Sequence, residues 1–106
     1  MIKTDTNKSD IAIIGMSCRF PGANNLEEFW DILSNGESQF RDIPKERLDQ
    51  FDFGILKSQK GSFLEHPYHF DNEYFNISDK EAKAMDPQQR IMLELTVEAR
   101  DHALMD

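Results

Sequence analysis

The sequence predicts an α/β fold, and three observations carry that expectation. Ile11-Ala12-Ile13-Ile14-Gly15 is a short, almost unbroken apolar run rich in β-branched residues, the composition of a strand buried on both faces in a helix-covered parallel sheet. Leu26, Phe29, Trp30 and Leu33 recur at helical spacing shortly after it. In the last third, Asp86-Pro87 opens a longer helical pattern, because an acceptor at the N-cap and proline at the first helical position together favour initiation.

The elements follow in order. Residues 1–9 form a polar leader, and the strand over Ile11–Gly15 comes next. Arg19-Phe20-Pro21-Gly22 ends it, since proline removes a donor and glycine admits turn dihedrals. Asn25 is an N-cap candidate with Glu28 three residues on, and Asn35-Gly36 supplies the stop, which bounds one amphipathic helix. Between Glu37 and Gln59 the apolar residues lose any period and Pro44 interrupts them. That span reads as a long connection with at most a short helical turn. Gly61-Ser62-Phe63-Leu64 suits a brief strand. Ser78-Asp79-Lys80-Glu81 has capping-box spacing for a helix running toward Met85. A fresh helix then starts at Asp86, with Pro87 at N1 and Gln89 at N3. Ile91, Met92, Leu95 and Ala99 form its apolar stripe, widened by Leu93 and Val97, so it expects cover on more than one side.

Composition narrows the function. The chain has 106 residues and a net charge of -8, with four Lys/Arg against ten Asp/Glu in residues 61–106. A surface of that sign repels phosphate backbones, which argues against a nucleic-acid partner. The lone Cys18 allows neither an internal disulfide nor a cysteine-rich zinc site. The first ten residues lack the apolar stretch of a secretory signal, and no apolar run approaches the about 20 residues that span a bilayer. A soluble, cytoplasmic protein without a membrane partner is expected. No repeat or flexible linker divides residues 10–106.

The order of five segments resembles a known family. They are Ile11 to Ala23; Leu26-Glu27-Glu28-Phe29-Trp30; Ile43-Pro44-Lys45-Glu46-Arg47; Phe70 to Ser78; and Met85-Asp86-Pro87-Gln88-Gln89-Arg90. Together they look like the N-terminal segment of the β-ketoacyl synthase (ketosynthase) domain of modular polyketide synthases, matched from about Asp10 to about Ala103. The resemblance implies a partial thiolase-like α/β fold. Its N-terminal portion would comprise one buried core strand, an amphipathic helix, a long connection and two consecutive capped helices. A complete domain would take an acyl chain from the phosphopantetheine arm of acyl carrier protein and perform a decarboxylative Claisen condensation with a malonyl-type extender. Such chemistry needs an activated thiolate and groups that stabilise the enolate. In the family these are a cysteine in a Thr-Ala-Cys-Ser-type turn and two histidines, and none has a counterpart here. The resemblance therefore gives this chain no catalytic, cofactor-binding or metal residue. It implies partners instead: the remainder of a ketosynthase domain or other polyketide synthase proteins, with a homo-oligomer as a further possibility.

This sequence departs from the family's pattern at several points. Leu48 stands where relatives usually carry tryptophan, and Asp49 to Lys60 is shorter than their loop. Val97 and Leu104 replace a usual tryptophan and glycine in the final helix, and loss of the glycine removes the favoured left-handed cap. His102 stands where an acid is more usual.

Several local patterns invite other chemistry. Cys18 occupies a variable position in the first motif, without the neighbouring base or helix N-terminus that activates a thiol, so it reads as a small packed residue. Glu65-His66-Pro67-Tyr68-His69 offers nitrogen and oxygen ligands, but His-x-x-His across a proline is not the helical spacing that puts two rings on one face. A polar loop is the simpler account. Gly15 to Gly22 lacks both glycine-rich phosphate signatures. Phe29, Trp30, Phe70, Tyr74 and Phe75 read as packing, Asp86 as a cap, and Arg90 as partner to a carboxylate or another chain. Two functions follow: an inactive ketosynthase fragment that acts with the rest of its fold, or a stand-alone docking module for polyketide synthase proteins. A strand apolar on both faces needs neighbours, so association or marginal stability is expected.

Overall fold

Asn25 opens helix α1 (Leu26–Asn35): its side chain accepts from the Glu28 N–H at 2.9 Å, while Glu28 Oε2 reaches back to the Asn24 N–H at 2.9 Å. Gly36 closes the helix at φ 63, a left-handed conformation that glycine adopts without penalty. The computed structural model describes residues 9–48 and 60–104. Most of the polar leader, all but the end of the Asp49–Lys60 loop and the chain's last two residues lie outside them.

Before α1, Pro21 and Gly22 (φ 81) turn the chain so that Phe20 and Ala23 exchange backbone hydrogen bonds at 2.8 and 2.9 Å. Proline followed by a positive-φ glycine is the sequence of a type II turn. The turn rests on α1 through the Phe20 and Phe29 rings, 4.5 Å apart. The connection then forms β1 (Arg41–Asp42) and one helical turn, α2 (Lys45–Leu48). Strand β2 (Lys60–Gly61) pairs antiparallel with β1, Arg41 opposite Gly61. The brief strand expected over Gly61–Leu64 thus shares only Gly61 with the observed one.

The last third follows its caps. Ser78 caps α3 (Asp79–Ala84) by accepting from the Glu81 N–H, and Asp86 caps α4 (Pro87–His102) by accepting from the Gln88 N–H at 2.8 Å. Met85 lies between the two helices in extended conformation, which sets the bend between them. Upstream, Asn72 closes a tight loop. Its Nδ2 donates to the Ile77 carbonyl and to Asp79, and Asn76 sits at φ 55, which asparagine tolerates.

The expected buried core strand needs a correction. Residues 11–14 form no strand, and Ile11, Ile13 and Ile14 are 92%, 86% and 63% exposed. Their composition suits burial on both faces, but β pairing is non-local, and among the described residues no strand lies beside them. Trp30 and Tyr74 are likewise exposed, whereas Phe29, Phe70 and Phe75 are less so or half-buried. Among the described residues only Cys18, Ala23 and Ala82 form a buried apolar core.

The dimensions agree with this. The radius of gyration is 18.7 Å, against about 13 Å for a compact domain of this length. The accessible surface is 9195 Å², where a compact protein of 12.3 kDa exposes about 6,100 Å².

Candidate functional site

The first motif lies across the C-terminal half of α4. Gly15 approaches so closely that a β-carbon there would come within 2.5 Å of the Ala99 carbonyl oxygen and 2.6 Å of Ala103 Cβ. The Met16 N–H donates to His102 Nδ1 at 3.1 Å, and Ser17 Oγ donates to the Leu95 carbonyl at 2.7 Å. Arg19 completes the seam. Its Nη1 bonds Glu94 Oε2 at 2.9 Å and its Nη2 bonds Glu98 Oε1, a fork spanning two carboxylates one helical turn apart. The Arg19 side chain is only 16% exposed, so these charge-assisted bonds are shielded better than surface pairs.

A cavity of about 540 Å³ opens beside this seam, lined by Ser17, Cys18, Asn24, Glu98 and His102 among others. Cysteine, histidine and carboxylate in one cavity invite a nucleophile, but the physical chemistry runs the other way. Cys18 is 8% exposed. Burial pushes its thiol above the ordinary value of 9.0; Glu98 and Glu28 add to the rise, and Arg19 partly offsets it. His102 Nδ1 is occupied as an acceptor, and no hydrogen bond among the described residues joins the imidazole to the thiol. A thiol held protonated has little nucleophilic character.

The second cluster surrounds Tyr68. Arg47 lies over the Tyr68 ring at 5.5 Å and the Phe63 ring at 5.8 Å, while Arg90 lies over Tyr68 at 5.9 Å. The Arg90 Nη1 also donates to the Tyr68 carbonyl at 3.2 Å. Arg90 thus takes a carbonyl and a ring within the chain, where the sequence left a carboxylate and another chain open, and ties the Met85–Arg90 run to the Tyr68 loop. His66 and His69 stack face to face, centroids 4.3 Å apart and planes within 5°. Parallel rings aim their in-plane lone pairs side by side, so they do not converge on one ion as tetrahedral zinc requires. Among the described residues no three His, Cys, Asp or Glu side chains gather for a metal.

The other feature of this region is exposed apolar side chains. Ile11, Ile13, Ile14 and Met16 are exposed along the seam, and Leu104 stands 92% exposed at the end of α4. No helix among the described residues is long and apolar enough to cross a membrane. Sequence reasoning placed Arg19 in a turn and missed its fork; the available signal was the i, i+4 pair Glu94 and Glu98 on α4.

Comparison with known proteins agrees with the motif order. The family model for the β-ketoacyl synthase N-terminal domain matches residues 8–106. A non-reducing polyketide synthase of Preussia isomera is 50% identical over 97 residues, covering 84% of this chain and 4% of its own length. A phenolphthiocerol/phthiocerol polyketide synthase from Mycobacterium tuberculosis is 42% identical over 113 residues, covering 96% of this chain and 5% of its own length. Among solved structures, the ketosynthase from module 6 of the bacillaene synthase of Bacillus subtilis aligns with a TM-score of 0.72 at 41% identity. That alignment covers 83% of this chain and 16% of the ketosynthase. The chain therefore spans a small part of each relative it matches.

Proposed function

The chain belongs to the β-ketoacyl synthase N-terminal domain family and is part of a polyketide synthase ketosynthase domain; from that premise we propose that it contributes scaffold and not catalysis. In this reading it carries no condensing activity alone and completes a condensing site only with the remainder of the domain. The completed domain would join an acyl thioester to a malonyl-type extender delivered on acyl carrier protein. Other polyketide synthase proteins are its partners, and the single buried thiol suits a reducing cytoplasm.

The observation that carries the proposal is the exposed Ile11–Ile14 segment, seated on α4 by Gly15, Ser17 and Arg19 but, among the described residues, without a strand beside it. Its β-branched side chains suit a sheet interior, so its most favourable neighbour is another strand. The segment presents a template whose complement is not found among the described residues.

Two measurements test this. Incubation with an acyl phosphopantetheine thioester and a malonyl thioester, followed by intact-mass analysis, should leave the chain unmodified; acylation at Cys18 followed by elongation would end the proposal. Size-exclusion chromatography with light scattering should show self-association or a marginally stable monomer. A compact monomer with a sharp urea transition would instead support a self-sufficient docking module.

A further inference from the structure

Arg90 Nε is a buried side-chain nitrogen with no hydrogen-bond partner among the described residues. A donor left this way loses its water without replacement, which destabilises the fold. The rest of the guanidinium does not compensate its charge. Nη1 goes to a neutral carbonyl, the plane lies over Tyr68, and no ion pair among the described residues involves Arg90. Arg47 brings a second guanidinium to the same ring. In a chain with 20 acidic residues against 12 basic ones, two arginines at one aromatic ring, neither in an ion pair among the described residues, are conspicuous.

The surroundings define what would fit. Arg90 lines a cavity of about 170 Å³ with Asn72, Asp79 and Lys83, closed by Tyr68 and Phe70. Lys83 is exposed and in no ion pair among the described residues. The one acid of the cavity, Asp79, already accepts from Asn72 through Oδ1. A water molecule's share of liquid volume is about 30 Å³, so the space admits a carboxylate with its hydration. Such a group would meet the Arg90 guanidinium where it lines the cavity and lie near the Lys83 ammonium, and arginine is the side chain best matched to a planar carboxylate.

We propose that Arg90, with Lys83 beside it, receives an acidic side chain from the polypeptide that completes the domain. The proposal rests on the scaffold reading above and adds the chemistry of the partner at one point of the interface. Arg90 then serves two purposes: it fastens the Tyr68 loop through Nη1 and offers its uncompensated charge to the incoming acid.

Acetate is the probe for the site in the whole chain. The Nε–Hε resonance of Arg90 should shift saturably with sodium acetate and not with sodium chloride at equal ionic strength, and Lys83→Met should weaken the effect at least threefold. No shift, or an equal response to chloride, would overturn the proposal. A second arm mixes the chain with the complementary remainder of a related ketosynthase. Arg90→Gln should weaken the complex about tenfold, while Arg100→Gln, a change on α4 away from the Tyr68 cluster, should not. If the parent chain binds and Arg90→Gln binds equally well, the carboxylate assignment fails alone. If the parent chain does not bind, the scaffold reading fails, and the acetate arm still decides what Arg90 recognises.

Discussion

Gly15→Ala separates two opposing effects on the seam between the first motif and α4. Gly15 is not among the positive-φ residues, so alanine fits its backbone. By itself such a change stabilises a protein by about 0.4–1 kcal/mol, through the reduced freedom of the unfolded chain. Against this, the new methyl would meet Ala99 O at 2.5 Å, Ala103 Cβ at 2.6 Å and Ala103 N at 2.9 Å. The first and last of these atoms are hydrogen-bonded to each other, Ala103 N–H to Ala99 O. Neither can step aside without opening the end of the helix. Overpacking of this kind costs about 1–3 kcal/mol, which leaves a net loss of about 0.5–2 kcal/mol. With a urea dependence of about 1–3 kcal/mol per molar, the midpoint followed by far-UV circular dichroism should fall by several tenths of a molar or more. An unchanged or higher midpoint would show that the segment does not sit on α4 as described.

Three further changes probe the same architecture. Leu104 follows the C-terminus of α4 at φ 58 with its side chain 92% exposed; Leu104→Gly should stabilise by about 0.5–1 kcal/mol, since relief of left-handed strain exceeds glycine's entropy penalty. A lower melting temperature would contradict it. Arg19→Gln breaks the fork to Glu94 and Glu98 and should cost about 1–2 kcal/mol, with Glu94→Gln costing less; a melting temperature equal to the parent's would refute the clasp. The Cys18 thiol is raised above 9.0 in the folded chain, so the fold holds that proton more tightly than the unfolded chain does. Its contribution is complete below the unfolded value and is lost as pH rises through the folded one. Urea midpoints should therefore decline on alkaline titration, and Cys18→Ala should flatten the decline; an identical slope in both would exclude this origin.

The helices were legible because their signals are local. Asn25, Ser78 and Asp86-Pro87 each satisfy an orphan N–H within three residues, so their effect does not depend on the rest of the fold. The Ile11–Gly15 run was legible only as a preference. Its β-branched composition records the environment it suits, and pairing requires a neighbour that local composition does not supply. The seam was illegible for a related reason: Arg19 meets Glu94 and Glu98 across 75 and 79 residues, and no short-range pattern encodes that distance. At Arg90 the sequence indicated a partner but not which kind, because a guanidinium can stack on a ring or donate to a carbonyl or an acid, and the choice depends on what the fold brings near. Leu104 was the reverse case. The missing cap glycine was visible in sequence, and the backbone adopts the left-handed turn regardless.

The long reach of the seam also affects how the chain is made. Met16, Ser17 and Arg19 find their partners 75 to 86 residues later. At a translation rate of roughly 5–20 residues per second, the first motif waits about 4 to 17 s on the ribosome before α4 exists to seat Met16, Ser17 and Arg19. For that interval the nascent chain displays an apolar, β-prone segment with nothing to dock on, the condition under which neighbouring chains stick to one another. Slower elongation lengthens the hazard, and a chaperone that holds extended apolar peptides shortens it.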